Sequence, residues 1–271
     1  LQELARLDRL TLRLATFKDR AEIPLKLPFP TLKQLWQQRL QERVPVQYLT
    51  GTAPWRQFSL KVSAAVLIPR PETECLIDLA LGAVEQAEKR QAAGEEKVSQ
   101  RHWADLGTGS GAIALGLATA FPQAAIHAVD CSPAALAIAQ ANAAAYHLAD
   151  RIQFYQGFWL QPLDPLKGRL SGIVANPPYI PSSMVPQLQP EVARHEPHLA
   201  LDGGLDGLDP IRHLITIAPD YLHPGGILLL EMMAGQAIAV TQLLQQQGSY
   251  HPSQIFPDLA GIDRFALAFR K

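Results

Sequence analysis

At 271 residues the chain exceeds a single domain of about 150 residues, so a large core with a smaller companion domain is expected. Hydrophobic residues make up 48% and charged residues 18%, and no apolar run reaches the roughly 18 residues of a membrane helix without a glycine or a charge, which excludes disorder and a spanning helix. A formal net charge of -1 and a pI near 6.8 give no global cationic field, which argues against stable nucleic-acid binding and for a protein or small-molecule substrate. Cys75 and Cys131 stand without CxxC or Cys/His spacing, so neither a disulfide framework nor a zinc site is indicated, and a reducing cytoplasm fits. No basic segment precedes an apolar stretch after Leu1, so no signal peptide is expected.

Apolar residues recur at helical spacing from Leu1 to about Arg43, as in Leu1, Leu4 and Leu7 and again in Leu32, Leu35, Trp36 and Leu40, predicting a small helical domain. Thr31 with Gln34 forms a capping-box signature for the second helix, Pro45 stops it, and Pro24, Pro28 and Pro30 separate the two helical pieces. Val46 to Val62 places Tyr48, Leu49, Trp55, Phe58 and Leu60 around Gly51 and Pro54, which predicts a bridging hairpin. The boundary falls near Leu67, dividing the chain into residues 1–66 and 67–271.

Glu72 to Arg90 reads as an amphipathic helix with Leu76, Ala80, Val84 and Ala87 on one face, and the polar stretch Arg90 to Arg101 as an exposed loop. Strand and helix signals then alternate: strands at His102 to Leu106, Ala125 to Val129, Ile152 to Tyr155, Gly172 to Ala175 and Ile227 to Leu230, with helices ending near Phe121 and spanning Pro133 to His147. Such alternation predicts an α/β fold, a parallel sheet with helices on both faces. Two late β-rich runs, near Ile255 and from Phe265 to Phe269, have no helix between them and fit an antiparallel hairpin closing the sheet.

The run Asp105-Leu106-Gly107-Thr108-Gly109-Ser110-Gly111 lies between a predicted strand and a predicted helix, where glycines let the backbone approach a ligand and turn sharply. Asp130 ends the second strand, where a carboxylate can accept from both ribose hydroxyls of an adenosine-type cofactor. Gly107-x-Gly109-x-x-Ala112 also satisfies the loose dinucleotide pattern, so a nicotinamide cofactor is the rival. Charge favours S-adenosylmethionine: Asp105 would repel a pyrophosphate but can receive a cationic amino-acid group. Ser132-Pro133 reads as an N-cap and first-turn proline, and Asn142 as a cap or surface residue.

Asn176-Pro177-Pro178-Tyr179 follows the apolar run Ile173 to Ala175, at the carboxyl end of a strand, where open α/β sheets bind ligands. A conjugated NH2 is a poor nucleophile because its lone pair is delocalised. The Asn176 side-chain oxygen and the Pro177 carbonyl can each accept one N–H and so aim the nitrogen. Prolines hold a carbonyl in a set direction without a competing N–H, and Tyr179 can pack on the planar amide while its hydroxyl finds a polar partner. The bland alternative is a rigid turn after a strand.

These residues together resemble the HemK family of release factor glutamine methyltransferases, over nearly the whole chain. Pro45-Val-Gln-Tyr-Leu-Thr-Gly51 is similar to the family's hairpin segment, Leu67-Ile-Pro-Arg-Pro-Glu-Thr-Glu74 to its lead into the catalytic domain, Asp105 to Gly111 to its donor loop, and Asn176 to Tyr179 to its acceptor motif. Glu196-Pro197, the stretch Ala200 to Asp209, and Glu231 with Gln236 resemble its downstream segments. The resemblance implies a Rossmann-like class I fold, a mostly parallel seven-stranded sheet with an antiparallel C-terminal hairpin, plus the helical substrate-recognition domain. It implies donor binding by Asp105, Gly107, Thr108, Gly109, Ser110, Gly111, Asp130, Trp159 and Asn176, and acceptor binding by Asn176, Pro177, Pro178 and Tyr179, with Asn176, Pro177 and Tyr179 at the reacting amide. The donor is S-adenosylmethionine, leaving as S-adenosylhomocysteine; the partner is a peptide chain release factor, with a ribosomal-protein glutamine or a nucleic-acid base amine as the rival acceptor and a non-enzymatic adaptor as the rival of another class, and no metal is implied.

Arg70, Glu72, Phe158 and Glu196 would lie near the site, although Arg70 and Glu72 equally fit a surface ion pair and a first-turn carboxylate, and Trp159 a core aromatic. Phe158 stands where the family often has an acidic residue, so adenine would be held by stacking and backbone contacts, and Met232-Met233 replaces an expected glycine. His195 and His198 flank Glu196 without a further spaced ligand and read as solvated or loop-packing residues.

Overall fold

The computed structural model of the chain describes residues 9–19, 22–23, 25–89 and 97–271. Helix α1 spans Arg9–Arg13, α2 Phe29–Gln41 and α3 Val46–Thr50, followed by an antiparallel ribbon of β1 (Thr52–Trp55) and β2 (Phe58–Lys61). The first helical spacing, at Leu1, Leu4 and Leu7, lies outside the described residues.

Three sequence expectations in this part need correction. Thr31 lies inside α2 and caps nothing; Pro28 is the N-cap, and Pro30, with no N–H to satisfy, occupies the first turn. Pro45 does not stop α2, which ends at Gln41 with Glu42 as its C-cap; Pro45 instead precedes α3. The region expected as hairpin therefore begins as a helical turn, released into β1 by Gly51 at φ 73°, a left-handed value that costs glycine little.

Beyond the ribbon stand α4 (Cys75–Glu88), preceded by a 3-10 turn at Glu72–Glu74, then β3 (His102–Leu106), α5 (Ala112–Ala120), β4 (Ala125–Asp130), α6 (Pro133–Ala145), β5 (Ile152–Gln156) and β6 (Leu170–Ala175). The chain continues through α7 (Pro190–Ala193), α8 (Asp209–Tyr221), β7 (Leu222–Glu231), α9 (Ala237–Gln247), β8 (Gln254–Pro257) and β9 (Asp263–Phe269). Helices α8 and α9 go beyond the sequence expectations: Pro210 and Pro219 interrupt the residue pattern of α8, yet one sits in its first turn and the other near its end. Of the polar stretch expected as a loop, residues 90–96 lie outside the described residues, and Val98–Gln100 forms a 3-10 turn with Val98 buried.

The seven strands order as β5-β4-β3-β6-β7-β9-β8, parallel from β5 to β7 and antiparallel at β9 and β8. Apolar clusters cover both faces: Leu76, Ile77, Ala80 and Val84 of α4 pack with Ile113 and Leu117 of α5 in one, and Ile211, Leu214 and Ile215 of α8 with Val240 and Leu244 of α9 in the other. This explains why β6 is buried at every position and ends in the apolar run Ile173 to Ala175. Among the described residues no helix is long and apolar enough to cross a membrane.

Trp103 of β3 is fully buried, stacks on Phe121 at 4.7 Å and donates its indole N–H to the Val98 carbonyl. Its ring lies over Gly172, its partner on β6; a Cβ there would fall 2.2 Å from the ring. Gly172→Ala should therefore overpack the sheet and lower the unfolding free energy by about 1–3 kcal/mol, read from the urea midpoint at constant slope.

Candidate active site

Strands are added outward from β3 through β4 to β5, then the chain returns to the other side of β3 with β6. The order reverses between these neighbours, and the loops leaving their carboxyl ends splay apart, opening a crevice. Leu106 pairs with Ala175, so the glycine loop after β3 and the Asn176 segment after β6 emerge side by side. A cavity of about 300 Å³ lies there, lined by Gly107, Gly109, Asp130, Phe158, Trp159, Asn176 and Pro178 among the expected residues. Asp105, Thr108, Ser110, Gly111, Pro177 and Tyr179 are not on that lining. Val66, Cys131, Ser132 and Leu199, which carry no motif signal for a ligand, also line it, as do Leu67 and Pro197 from two of the segments quoted for the resemblance.

On the glycine-loop side, Gly107, Gly109 and Gly111 take φ values of 74°, 53° and 84°. The N–H groups of Gly107 and Thr108 both bond the Val129 carbonyl, at 2.8 and 3.0 Å, drawing the loop across the end of β4. Asp130 receives the Gly109 N–H on one carboxylate oxygen and the Ser132 N–H on the other, each at 2.9 Å, which fixes the carboxylate on the cavity rim with lone pairs to spare. Ser132 caps α6 through Ala135 N–H and also lines the cavity. Gly111 packs against α6 so closely that a Cβ would lie 3.1 Å from that of Ala139.

Asn142 is a correction: it is neither cap nor surface residue. It is buried in α6, donating to the carbonyls of Ser110 and Lys61 and accepting the Lys61 N–H, so it clamps the glycine loop and β2 together.

Asp105 is fully buried beneath the loop. One carboxylate oxygen accepts from the Thr108 hydroxyl at 2.6 Å and the Ala114 N–H at 2.9 Å, and the other has no hydrogen-bond partner. Burial pushes its pKa up to about 7 against the pull of these two hydrogen bonds, with the charge of Asp130 adding to the rise. The Asp105 contacts thus hold the loop and the first turn of α5.

On the other side, Asn176 donates its Nδ2–H to the Thr73 hydroxyl oxygen at 3.1 Å. That bond occupies one N–H of the amide of Asn176, which lines the cavity. Tyr179 donates to Glu231 Oε1 at 3.2 Å, and burial and the neighbouring carboxylate hold its phenol above the ordinary range. Gln236 donates to the carbonyls of Tyr179 and Gly207 and accepts the Met233 N–H, so the turn carrying Met232-Met233 is closed by this side chain.

The connection from β6 to α8 is tied to the rest of the chain at several points. Arg39 and Arg43 of the helical part bond Glu191, whose carboxyl the Arg39 hydrogen bond holds down to about 2. His195 packs against the Glu42 carbonyl at 2.8 Å, while Glu196, buried, takes the Arg70 guanidinium at 2.7 Å and the Ile68 N–H. Arg70 and Glu196 therefore form one frame, whereas Glu72 is exposed. Among the described residues no group of His, Cys, Asp and Glu is placed to hold a metal.

A glycine loop after the first strand of a reversed parallel sheet, a carboxylate at the end of the next strand and an antiparallel last pair define a class I S-adenosylmethionine-dependent methyltransferase. The residues present fit that donor: bare backbone at Gly107 and Gly109, a rim carboxylate at Asp130, and the apolar faces of Phe158 and Leu199. The model of the methyltransferase small domain matches residues 91–195. The release factor glutamine methyltransferase of Synechocystis sp. is 53% identical over 99% of this chain and 87% of its own length, and that of Thermosynechococcus vestitus 52% identical over 91% and 81%. The chain belongs to the release factor glutamine methyltransferase family. In fold it is also similar to the hMettl16 catalytic domain solved with an RNA hairpin, at a TM-score of 0.60 and 14% identity over 99% of this chain and 88% of that one.

Because the folded state keeps a proton on Asp105 up to about 7 that the unfolded chain releases near 4, stability falls as pH rises through that window. Asp105→Asn should flatten this slope, by at most about 1.4 kcal/mol per pH unit. Urea unfolding across the window checks it; an unchanged slope would show that Asp105 ionises normally.

Proposed function

We infer that this chain transfers a methyl group from S-adenosylmethionine to the side-chain amide nitrogen of the glutamine in the Gly-Gly-Gln motif of peptide chain release factors. Family membership supports the reaction, and one observation carries the chemistry: Asn176 lines the cavity beside the glycine loop with its NH2 already tied to Thr73.

The donor supplies an electrophilic methyl carbon on a positively charged sulfur. The backbone of Gly107 and Gly109 would lie against the donor, and Asp130 would accept from its ribose hydroxyls with the oxygen lone pairs that Gly109 and Ser132 leave open. Phe158, 59% exposed on the cavity rim, and Trp159 would flank the adenine in place of an acidic contact. Thr108, Ser110, Gly111 and Asp105 act behind the lining, by holding the loop. The Asn176 carbonyl oxygen and the Pro177 carbonyl each accept one N–H of the glutamine amide, which removes rotational freedom and aims the nitrogen at the methyl carbon. Pro177 and Pro178 offer no competing N–H, and Tyr179 packs on the amide plane with its hydroxyl held by Glu231.

Residues 1–66 form the recognition domain in this reading. The bonds of Arg39 and Arg43 to Glu191 make its position felt in the segment that follows the acceptor motif.

Incubation with labelled S-adenosylmethionine and a purified release factor, followed by mass spectrometry, tests the assignment: the label should sit on the Gly-Gly-Gln glutamine. Asn176→Ala should keep donor affinity within about threefold by calorimetry while lowering kcat by about 10²–10³. Unaltered turnover in that variant would remove the acceptor role. A short Gly-Gly-Gln peptide should be methylated at least about a hundredfold less efficiently in kcat/KM than the folded factor, because it lacks the surface read by the recognition domain; equal efficiency would exclude such a surface.

A further inference from the structure

The walls of the cavity have two origins. Gly107, Asp130, Trp159 and Asn176 end or follow the strands β3, β4, β5 and β6, so sheet register fixes their places. Two further lining stretches come from outside the sheet: Ala65 to Leu67, between β2 and α4, and Pro197, Leu199 and Ala200, between α7 and α8. Strand pairing does not set the distance between these two.

The first stretch is built into the molecule. Val66 and Ile68 are buried and pack with Ala53, Val62 and Ala135. The Tyr48 hydroxyl donates to the Val66 carbonyl at 2.6 Å, and the indole N–H of buried Trp55 to the Arg70 carbonyl at 3.1 Å. The second stretch is held more lightly: Leu199 is 61% exposed, and the N–H groups of Ala200, Leu201 and Asp202 bond back to Pro197 and His198 within the same turn.

Glu196, which directly precedes Pro197, joins the two stretches. Its side chain is 1% exposed, and both carboxylate oxygens are engaged: Oε1 accepts from the Arg70 guanidinium at 2.7 Å and Oε2 from the Ile68 N–H at 3.2 Å. A buried ion pair adds little stability over an apolar pair of the same shape, because desolvation offsets the attraction. Its effect is geometric. Ile68 and Arg70 lie just past the first lining stretch and Glu196 just before the second, so one carboxylate sets the spacing of both walls at the cavity edge.

We propose that Glu196 is a positioning residue for donor binding: its bonds to Ile68 and Arg70 hold the 197–200 wall against the 65–67 wall and so set how firmly the cavity keeps S-adenosylmethionine and the S-adenosylhomocysteine left after transfer. This rests on the reading above that the donor occupies this cavity. With the contact made, the covered form of the cavity dominates. With it broken, the second wall stands off for part of the time, and the apparent affinity falls with the fraction that remains covered. The glycine loop and Asn176 aim the reacting groups without bonding Glu196, so the transfer step keeps its rate.

Calorimetry of the whole chain with S-adenosylhomocysteine, which does not react, measures affinity, and a chase of bound, labelled S-adenosylmethionine with excess unlabelled donor measures dissociation. Glu196→Gln keeps an acceptor for the Ile68 N–H and loses the charge facing Arg70. It should weaken both ligands about tenfold, through faster dissociation. KM for the donor should rise in step, while kcat at saturating donor and KM for the release factor stay within about threefold. Arg70→Gln, which leaves Glu196 and Ile68 in place, should cost a similar factor, and Arg70→Lys should recover part of it. The double variant should lose no more than either single one, because both act through one contact. An unchanged dissociation rate in Glu196→Gln overturns the proposal, as do additive losses in the double variant or a fall in kcat with affinity unaltered. If Glu196→Gln fails to fold, an unchanged dissociation rate in Arg70→Gln overturns it alone. Asp130→Ala, run in parallel, separates the two readings: weaker donor binding there with none at Glu196 or Arg70 removes only the positioning role, whereas no loss at Asp130 removes the placement of the donor beneath it.

Discussion

The site depends on one constraint of topology, the reversal of strand order between β3 and β6. Parallel neighbours send their following loops out of the same edge of the sheet. Where the chain turns from building one side to building the other, those loops diverge and leave a crevice. The pairing of Leu106 with Ala175 brings the glycine loop and Asn176 to that crevice at the same level, although they are 69 residues apart counting from Gly107 to Asn176 (176 − 107). Because both strands are buried on both faces, a slip in register would set the Trp103 ring against a side chain in place of Gly172, so the relative height of the two loops is set by packing in the core.

A second layer of support comes from side chains that touch no ligand-lining atom. Asn142 makes its full complement of useful bonds to Ser110 and Lys61, and Gln236 does the same for Tyr179 and Gly207. Buried amides are tolerated only when satisfied, and satisfaction here means holding one loop at a fixed distance from another. The segment from Asn176 to Asp209 is held in the same manner, at Glu196 by Ile68 and Arg70 of the chain entering α4 and at Glu191 by Arg39 and Arg43 of α2 and its exit. The Glu196 contact is buried and backed by a backbone N–H, so it resists salt; the exposed Arg43 contact is screened and contributes orientation more than stability.

Two buried carboxyls, at Asp105 and Glu231, lie on opposite sides of this crevice and differ in what neutralises them. Asp105 has a backbone N–H from α5 and a hydroxyl from its own loop, a local arrangement that serves to shape the turn. Glu231 accepts one hydroxyl, that of Tyr179 from the segment after β6, and its second oxygen has no hydrogen-bond partner.

The alternation of strands and helices, the sharp turn of the glycine run, the place of Asp130 at the end of a strand, the Ser132 cap and the position of Asn176 to Tyr179 just past a strand were all legible from residue order, because each depends on chain-local chemistry: period, turn preference, or a motif at the end of a strand. Thr31 misled because a capping signature is short and Pro28-Phe29-Pro30 upstream starts the helix earlier. Asn142 looked like a surface residue because its partners, Ser110 and Lys61, come from other parts of the chain. Thr73 and Leu199 gave no sign of their place at or behind the cavity for the same reason. Residue order alone determined that this chain would form a parallel α/β sheet closed by an antiparallel pair, with a glycine loop after one strand and the Asn176 segment after another. Tertiary packing alone decided which buried polar groups stand behind those motifs and which way their amides point, since a hydrogen bond between distant segments leaves no periodic trace in either of them.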